Sequence, residues 1–137
     1  MVPQMKVFIS YSQADQAIAK DLVSLLAAAG VRAWDAESEL TPGDNWAMRI
    51  GQALEESDAM IVLLSPDSVK SEWVRREIEY ALSSPNYRDR LIPVIVRPTR
   101  KIPWILRDLS LVDLHADPDE GKKLVVSRVR HLAKAVG

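Results

Sequence analysis

The chain contains no cysteine, which excludes a disulfide framework, a thiol nucleophile and thiolate metal sites and fits a reducing compartment. No apolar run approaches the roughly 20 residues needed to cross a bilayer, and Met1-Val2-Pro3-Gln4 carries no secretory signal pattern. Basic side chains are not massed anywhere: 18 Lys and Arg are interspersed with 19 Asp and Glu, for a net charge of -1. A footprint for a phosphate backbone is therefore missing. Neither GxGxxG nor a P-loop occurs, so the ordinary dinucleotide and NTPase cradles have no support. The two histidines, His115 and His131, lie far apart in sequence without clustered ligand partners. His131 reads as solvent-facing on the last helix and His115 as loop decoration. The expectation is a cytoplasmic domain that binds no nucleic acid, membrane, metal or resident cofactor.

What is present is apolar residue in the right amount and order. At 137 residues and 47% apolar, the chain can bury a single core without staples. It reads as one domain, 1–137, with 1–4 as a flexible extension. Lys6 to Tyr11 is a β-branched and aromatic run that reads as a buried first strand. Ser12 and Asp15 follow at capping-box spacing. Ile18, Leu22, Leu25, Leu26 and Ala29 recur at helical period, and Gly30 stops that helix. Val31 to Asp35 is a short second strand, and Ala36 to Asp44 a loop. Trp46, Ile50, Ala53, Leu54 and Ser57 mark one face of the next helix. Ala59 to Leu64 is almost uniformly apolar, as a central parallel strand covered on both faces must be. A helix is expected over Glu72–Ser83 with Ser71 as N-cap. Leu91–Val96 and Ser110–Leu114 complete five strands, Pro98, Pro103 and Trp104 mark an irregular stretch with one helical turn between them, and a last helix runs from near Asp119 to Ala135.

Strands alternating with helices predict an α/β fold: a flavodoxin-like, doubly wound, five-stranded parallel sheet of order 2-1-3-4-5. Sites in such sheets lie outside the carboxyl ends of the strands. That directs attention to Ser10-Tyr11-Ser12, Asp35 to Trp46, Ser65-Pro66-Asp67 and Arg97-Pro98. These residues do not match two familiar tenants of the fold. A phosphoacceptor receiver needs clustered carboxylates after strand one, an aspartate ending strand three and a lysine ending strand five. Here the positions read Ser10-Tyr11-Ser12, Leu64-Ser65 and Leu114-His115. A flavin-phosphate site needs a Gly- and Thr-rich first loop, which Ser12-Gln13-Ala14-Asp15 is not.

The segment Ser71 to Leu82 is the most informative. Val74, Ile78 and Ala81 form its core stripe, with Trp73, Glu77 and Tyr80 along one flank. Glu72 has Arg75 and Arg76 at i+3 and i+4, and Glu79 has the same two at i−4 and i−3. Such pairs are worth about 0.2–0.5 kcal/mol each. Glu77 has no such cation; its neighbours at those spacings are Trp73, Val74, Tyr80 and Ala81. A carboxylate against aromatic surface is partly desolvated, which favours its neutral form and marks a site candidate. From this helix alone, a solvated edge carboxylate beside a gap-filling tryptophan is the more ordinary reading.

Three segments together shift that balance. Val7-Phe8-Ile9-Ser10-Tyr11-Ser12 with Asp15 resembles the first box of TIR (Toll/interleukin-1 receptor/resistance) domains. Trp34-Asp35 through Leu40-Thr41-Pro42-Gly43-Asp44-Asn45-Trp46 resembles the TIR BB loop. Ser71 to Ile78 resembles the αC segment that carries the catalytic glutamate of NAD-cleaving members. The resemblance runs from about Met5 to Val136. It implies that Glu77 is the catalytic carboxylate and Trp73 a wall of its pocket, with Ser10 and Tyr11 bordering the nicotinamide side. Trp34, Asp35 and Trp46 would border the cleft or pack against a neighbouring molecule, and Leu40, Pro42, Gly43 and Asp44 would mediate self-association. Bland readings stand beside these: Trp46 as a packing residue, Pro42-Gly43 as a turn into a helix, Ser10 and Asp35 as strand ends. The chain departs from some active members in having Ser12-Gln13 where basic residues follow the first box.

The implied activity is an NAD+ glycohydrolase, or an ADP-ribosyl cyclase, that takes NAD+ as substrate and is switched on by association with other TIR domains in signalling or defence. The chemistry suits one carboxylate. Nicotinamide leaves as a neutral base from a cationic N-glycoside through an oxocarbenium-like transition state, so it needs no protonation. Attack by water gives ADP-ribose; attack by the adenine ring gives a cyclic product. Two alternatives differ in class: a non-catalytic TIR adaptor acting by homotypic TIR–TIR binding, and a nucleoside deoxyribosyltransferase-like enzyme, which the BB-loop match disfavours.

Overall fold

The computed structural model describes residues 5–34, 56–71, 74–75, 78–79, 83, 90–100, 102, 106 and 111–136, the side chains of Trp34 and of 133–136 excepted. Five strands form one sheet: β1 (Lys6–Ser10), β2 (Arg32–Trp34), β3 (Ala59–Leu64), β4 (Leu91–Ile95) and β5 (Val112–Asp113). Their order is β2-β1-β3-β4-β5 and every pairing is parallel, the arrangement expected from the sequence. β3 lies at the centre, and all six of its residues are buried. Its uniform hydrophobicity follows from being covered on both faces.

Alternation along the strands assigns the two faces. Val7, Ile9, Ala59, Ile61, Leu63, Ile92, Val94 and Val112 form one core cluster with Ala19, Leu22 and Leu26 of α1 (Gln16–Ala28) and Val125 and Val129 of α2 (Pro118–Val136). The opposite face carries Phe8, Met60, Val62 and Leu64, also fully buried. Val74 and Ile78 are buried as well, while Arg75 and Glu79 are exposed. That is the pattern expected of the core stripe and of the two surface-paired positions. Ser71 caps this helical run as anticipated: its hydroxyl accepts from Val74 N at 3.3 Å and its carbonyl from Arg75 N at 3.0 Å.

Gly30 ends α1 as its spacing suggested, with φ +84°. Gly30 N donates to Ala27 O at 3.0 Å and Val31 N to Leu26 O at 2.8 Å. This is a Schellman closure, and Val31 and Leu26 are both buried beside it. At the other end of the fold, α2 begins one residue earlier than the periodicity indicated. Asp117 Oδ1 accepts from Glu120 N at 3.1 Å, and Pro118 takes the first helical position, where a missing N–H costs nothing. Gly121 lets α2 approach β5. A Cβ there would stand 2.8 Å from Leu114 Cδ1 and 2.9 Å from Leu114 Cα.

One expectation fails. Ser12 and Asp15 do not form a capping box: neither side chain caps a helix. Residues Gln13–Asp15 form a single 3₁₀ turn before α1, and the Asp15 carboxylate is turned inward, where a partner distant in sequence claims it. Smaller differences lie at strand ends. Tyr11 and Val96 fall just outside β1 and β4, and Val31 outside β2. Leu114 follows β5, and Ser110 lies outside the described residues. Leu106, within the irregular stretch, is helical and fully buried, in keeping with the helical turn expected there.

Candidate functional site

The carboxyl rim of the sheet gathers the ends of β1, β3 and β4. Ser10 is the last residue of β1, pairs in register with Val62, and is 1% exposed. Tyr11 is 4% exposed and belongs to the core cluster on the α1 side. Both have the polar or ring contacts of buried residues. Trp34 ends β2, opposite Phe8 in register. The remaining candidates, Glu77, Trp73, Asp35, Trp46, Leu40, Pro42, Gly43 and Asp44, lie outside the described residues.

Beyond the ends of β1 and β3 the described rim is organised by a polar cluster that the sequence only hinted at. Asp15, Ser65 and Ser68 are each 1% exposed or less. Ser65 Oγ donates to Asp15 Oδ2 at 2.5 Å. The same hydroxyl accepts from Ser68 N at 3.1 Å, and Ser65 N donates to Ser68 Oγ at 2.8 Å. The two serines thus close the turn that leaves β3 from both sides. Ser71 N donates to Ser68 O at 3.1 Å, which carries the ladder to the cap of the next helical run.

Arg97, just past β4, reaches across to this cluster. Its Nη2 donates to Ala14 O at 2.8 Å and lies 3.0 Å from Asp15 Oδ1; its Nη1 lies 3.6 Å from Asp67 Oδ2. Asp15 Oδ1 receives no hydrogen bond, so its contact with the guanidinium is one of charge rather than of donor and acceptor. A buried carboxylate needs such compensation, since an unpaired one is costly to desolvate. The Arg97 side chain is 42% exposed, so water screens its outer part. Thr99 Oγ1 donates to Arg97 O at 2.7 Å and fixes the bend that aims the residue.

Two concave surfaces lie on the α1–α2 side. One, of about 240 Å³, has an apolar floor of Ile18, Leu22, Val96 and Leu114 with Asp21, His115 and Lys122 around it. The other, about 540 Å³, is shallow and lined by Leu25, Val126 and four basic side chains, Lys122, Lys123, Arg130 and His131. His115 and His131 are both exposed, as anticipated. Among the described residues no cluster of His, Asp and Glu is disposed to hold a metal ion, and no helix is long and apolar enough to cross a membrane.

The strand order agrees with what comparison to known protein families and structures finds. The model described as TIR domain matches residues 7–125. The chain belongs to the TIR family. It is 34% identical over 95 residues to the NAD(+) hydrolase PdTIR of Paracoccus denitrificans, an alignment covering 67% of this chain and 31% of that protein. It is 32% identical over 91 residues to a probable 2' cyclic ADP-D-ribose synthase, BdTIR, of Brachypodium distachyon, covering 65% and 39%. The chain thus spans only 31% and 39% of these relatives' length. Among solved structures it resembles the TIR domain of the Toll-related receptor TRR-2 of Hydra magnipapillata, with TM-score 0.77, 27% identity, and 90% and 97% of the two chains covered. TIR domains similar to this one therefore carry both enzyme and receptor names.

Two members of the polar cluster, Asp15 and Ser68, were not among the sequence-derived site residues. Asp15 was assigned locally, as a cap, because a three-residue spacing is visible in a sequence and a contact across 50 residues is not. The available signal was the rim itself: Ser65, Asp67 and Arg97 all follow strand ends.

Proposed function

We propose that this TIR domain cleaves the nicotinamide–ribose bond of NAD+ when TIR domains assemble, with Glu77 as the catalytic carboxylate. The observation that carries the reading is the similarity to PdTIR, named an NAD(+) hydrolase, over two thirds of the chain. The sequence around Glu77 supports it, because that glutamate alone among those of Ser71–Leu82 lacks a cation at helical spacing. The Ser71-capped helical run beyond β3 supports it too, since this run starts at the carboxyl rim where sites of this fold occur.

In the reaction, the bond between C1′ of the ribose and the nicotinamide nitrogen breaks and its electron pair leaves with nicotinamide, neutralising the ring. Positive charge passes to the ribose. A nearby carboxylate stabilises that charge in a partly dry site, the largest effect a single group can supply here. Water then attacks C1′ and loses a proton to give ADP-ribose; attack by a group of the same nucleotide gives a cyclic product. Ser10, Tyr11, Trp34, Asp35, Trp46 and Trp73 are assigned to the cleft. Leu40, Pro42, Gly43 and Asp44 are assigned to self-association.

The test is nicotinamide release, followed by chromatography, from protein forced to oligomerise. Wild type should release nicotinamide and Glu77→Ala should not. Native-rate release by Glu77→Ala would remove Glu77 from the catalytic role. No release by assembled wild type would favour the adaptor reading, to which the likeness to a Toll-related receptor lends weight.

A further inference from the structure

The rim cluster raises a question of cost. Asp15 buries a carboxylate completely, leaves one of its oxygens without a hydrogen bond, and recruits an arginine from 82 positions along the chain to compensate it. An asparagine would carry a far lower desolvation cost, but its amide oxygen would hold the Ser65 hydroxyl with roughly half the strength of a carboxylate. Buried groups satisfied this incompletely call for an explanation.

The connections supply one. Asp15 holds the Ser65 hydroxyl at 2.5 Å, and Ser65 and Ser68 clasp each other's backbone and side chain. Ser68 O accepts from Ser71 N, and Ser71 in turn caps the helical run through Val74 N. A continuous series of hydrogen bonds, buried from Asp15 to Ser68 and part-buried at Ser71, therefore leads from the loop after β1 to Val74, in the segment whose sequence includes Trp73 and Glu77. Arg97 closes the series from outside by binding Ala14 O and approaching both Asp15 and Asp67. Loops following three different strands are tied at one point, and that point is where the run begins.

We propose that Asp15 is a positioning residue: acting through Ser65 and Ser68, its carboxylate fixes where the helical run beyond β3 starts and so where Glu77 is held. The proposal deepens the reading of this chain as an NAD+-cleaving domain and rests on it. Misplacing a reacting group by about 1 Å costs on the order of 10²-fold in rate. Asp15→Asn and Ser65→Ala should each lower kcat for nicotinamide release by about 10- to 100-fold per folded molecule, with KM within about 3-fold of wild type, because placement rather than substrate binding is lost. The two changes should not compound, since they break one series of contacts. Gly30→Ala is the matched control. It lies at the far end of α1 and should lower thermal stability while leaving kcat per folded molecule unchanged. Should Asp15→Asn fail to fold, Ser68→Ala tests the same series from its other end.

Full kcat in folded Ser65→Ala, or a double variant whose losses multiply, would overturn the proposal. A second readout stands apart from activity. Hydrogen exchange at Val74 and Arg75 should quicken at least about 10-fold in Ser65→Ala relative to the amides of α2, as a locally loosened segment requires. If assembled wild type released no nicotinamide, the enzymatic reading would fall. Unchanged exchange at Val74 and Arg75 would bring down the positioning role by itself.

Discussion

Gly121→Ala probes the closest approach between α2 and the sheet. Gly121 is the fourth residue of the helix and is buried. An added Cβ would meet Leu114 Cδ1 at 2.8 Å, Leu114 Cα at 2.9 Å and Asp113 O at 3.2 Å. The leucine tip can rotate away. The other two atoms are backbone, so β5 and the first turn of α2 must separate by a few tenths of an ångström. Overpacking of this kind costs about 1–3 kcal/mol. Two backbone contacts put this site in the upper part of that range, about 2–3 kcal/mol; alanine recovers up to about 1 kcal/mol of helix propensity, leaving a net loss of about 1–2 kcal/mol. A chain of 137 residues has an unfolding entropy of about 0.3 kcal/mol/K, so its Tm should fall by about 3–7 °C. Thermal unfolding followed by circular dichroism, with a urea titration as a check, measures both. A second variant separates the causes. With Leu114→Ala in the background, only the Cδ1 clash disappears, so Gly121→Ala should still destabilise. A Gly121→Ala variant as stable as wild type, or one fully relieved by Leu114→Ala, would refute the claim that backbone proximity requires glycine here.

The other expectations are simpler. Gly30→Ala should cost about 1–2 kcal/mol, because the left-handed φ of +84° is strained for alanine while the space around it is open; Gly30→Asn should cost less, and urea midpoints compare the two. Asp117→Ala removes the cap on Glu120 N and should cost about 0.5–2 kcal/mol by the same measurement. Glu77→Ala should abolish nicotinamide release by assembled protein without lowering Tm, as expected of a group selected for chemistry rather than packing. Asp15→Asn and Ser65→Ala should instead slow turnover through placement, as read by kcat per folded molecule.

Much of the fold was legible because its signals are local. β3 declared itself by an unbroken apolar run, which only a strand covered on both faces sustains. α1 showed Leu22 and Leu26 at helical spacing and a glycine where the helix had to stop. Ser71 was readable as a cap because a serine at the right offset from Val74 is a property of a few consecutive residues. The strand order followed from the alternation of elements and the handedness of crossovers. The family was legible because its motifs are contiguous boxes, and the comparison with known families bears that out.

The same locality explains the miss at Asp15. Spacing made it a cap, but its true partners come from the loops after β3 and β4, and the nearest of them is 50 positions away. Charge pairing along one helix can be counted from a sequence. Whether a carboxylate turns inward depends on which distant loops arrive beside it, and only packing of the parallel sheet brings the ends of β1, β3 and β4 to one rim. The sequence by itself thus determined the elements, their order and the family, since each is written in neighbouring residues. The tertiary structure alone decided that Asp15, Ser65, Ser68 and Arg97 form one cluster, because a parallel sheet joins at its edge residues that the chain keeps far apart.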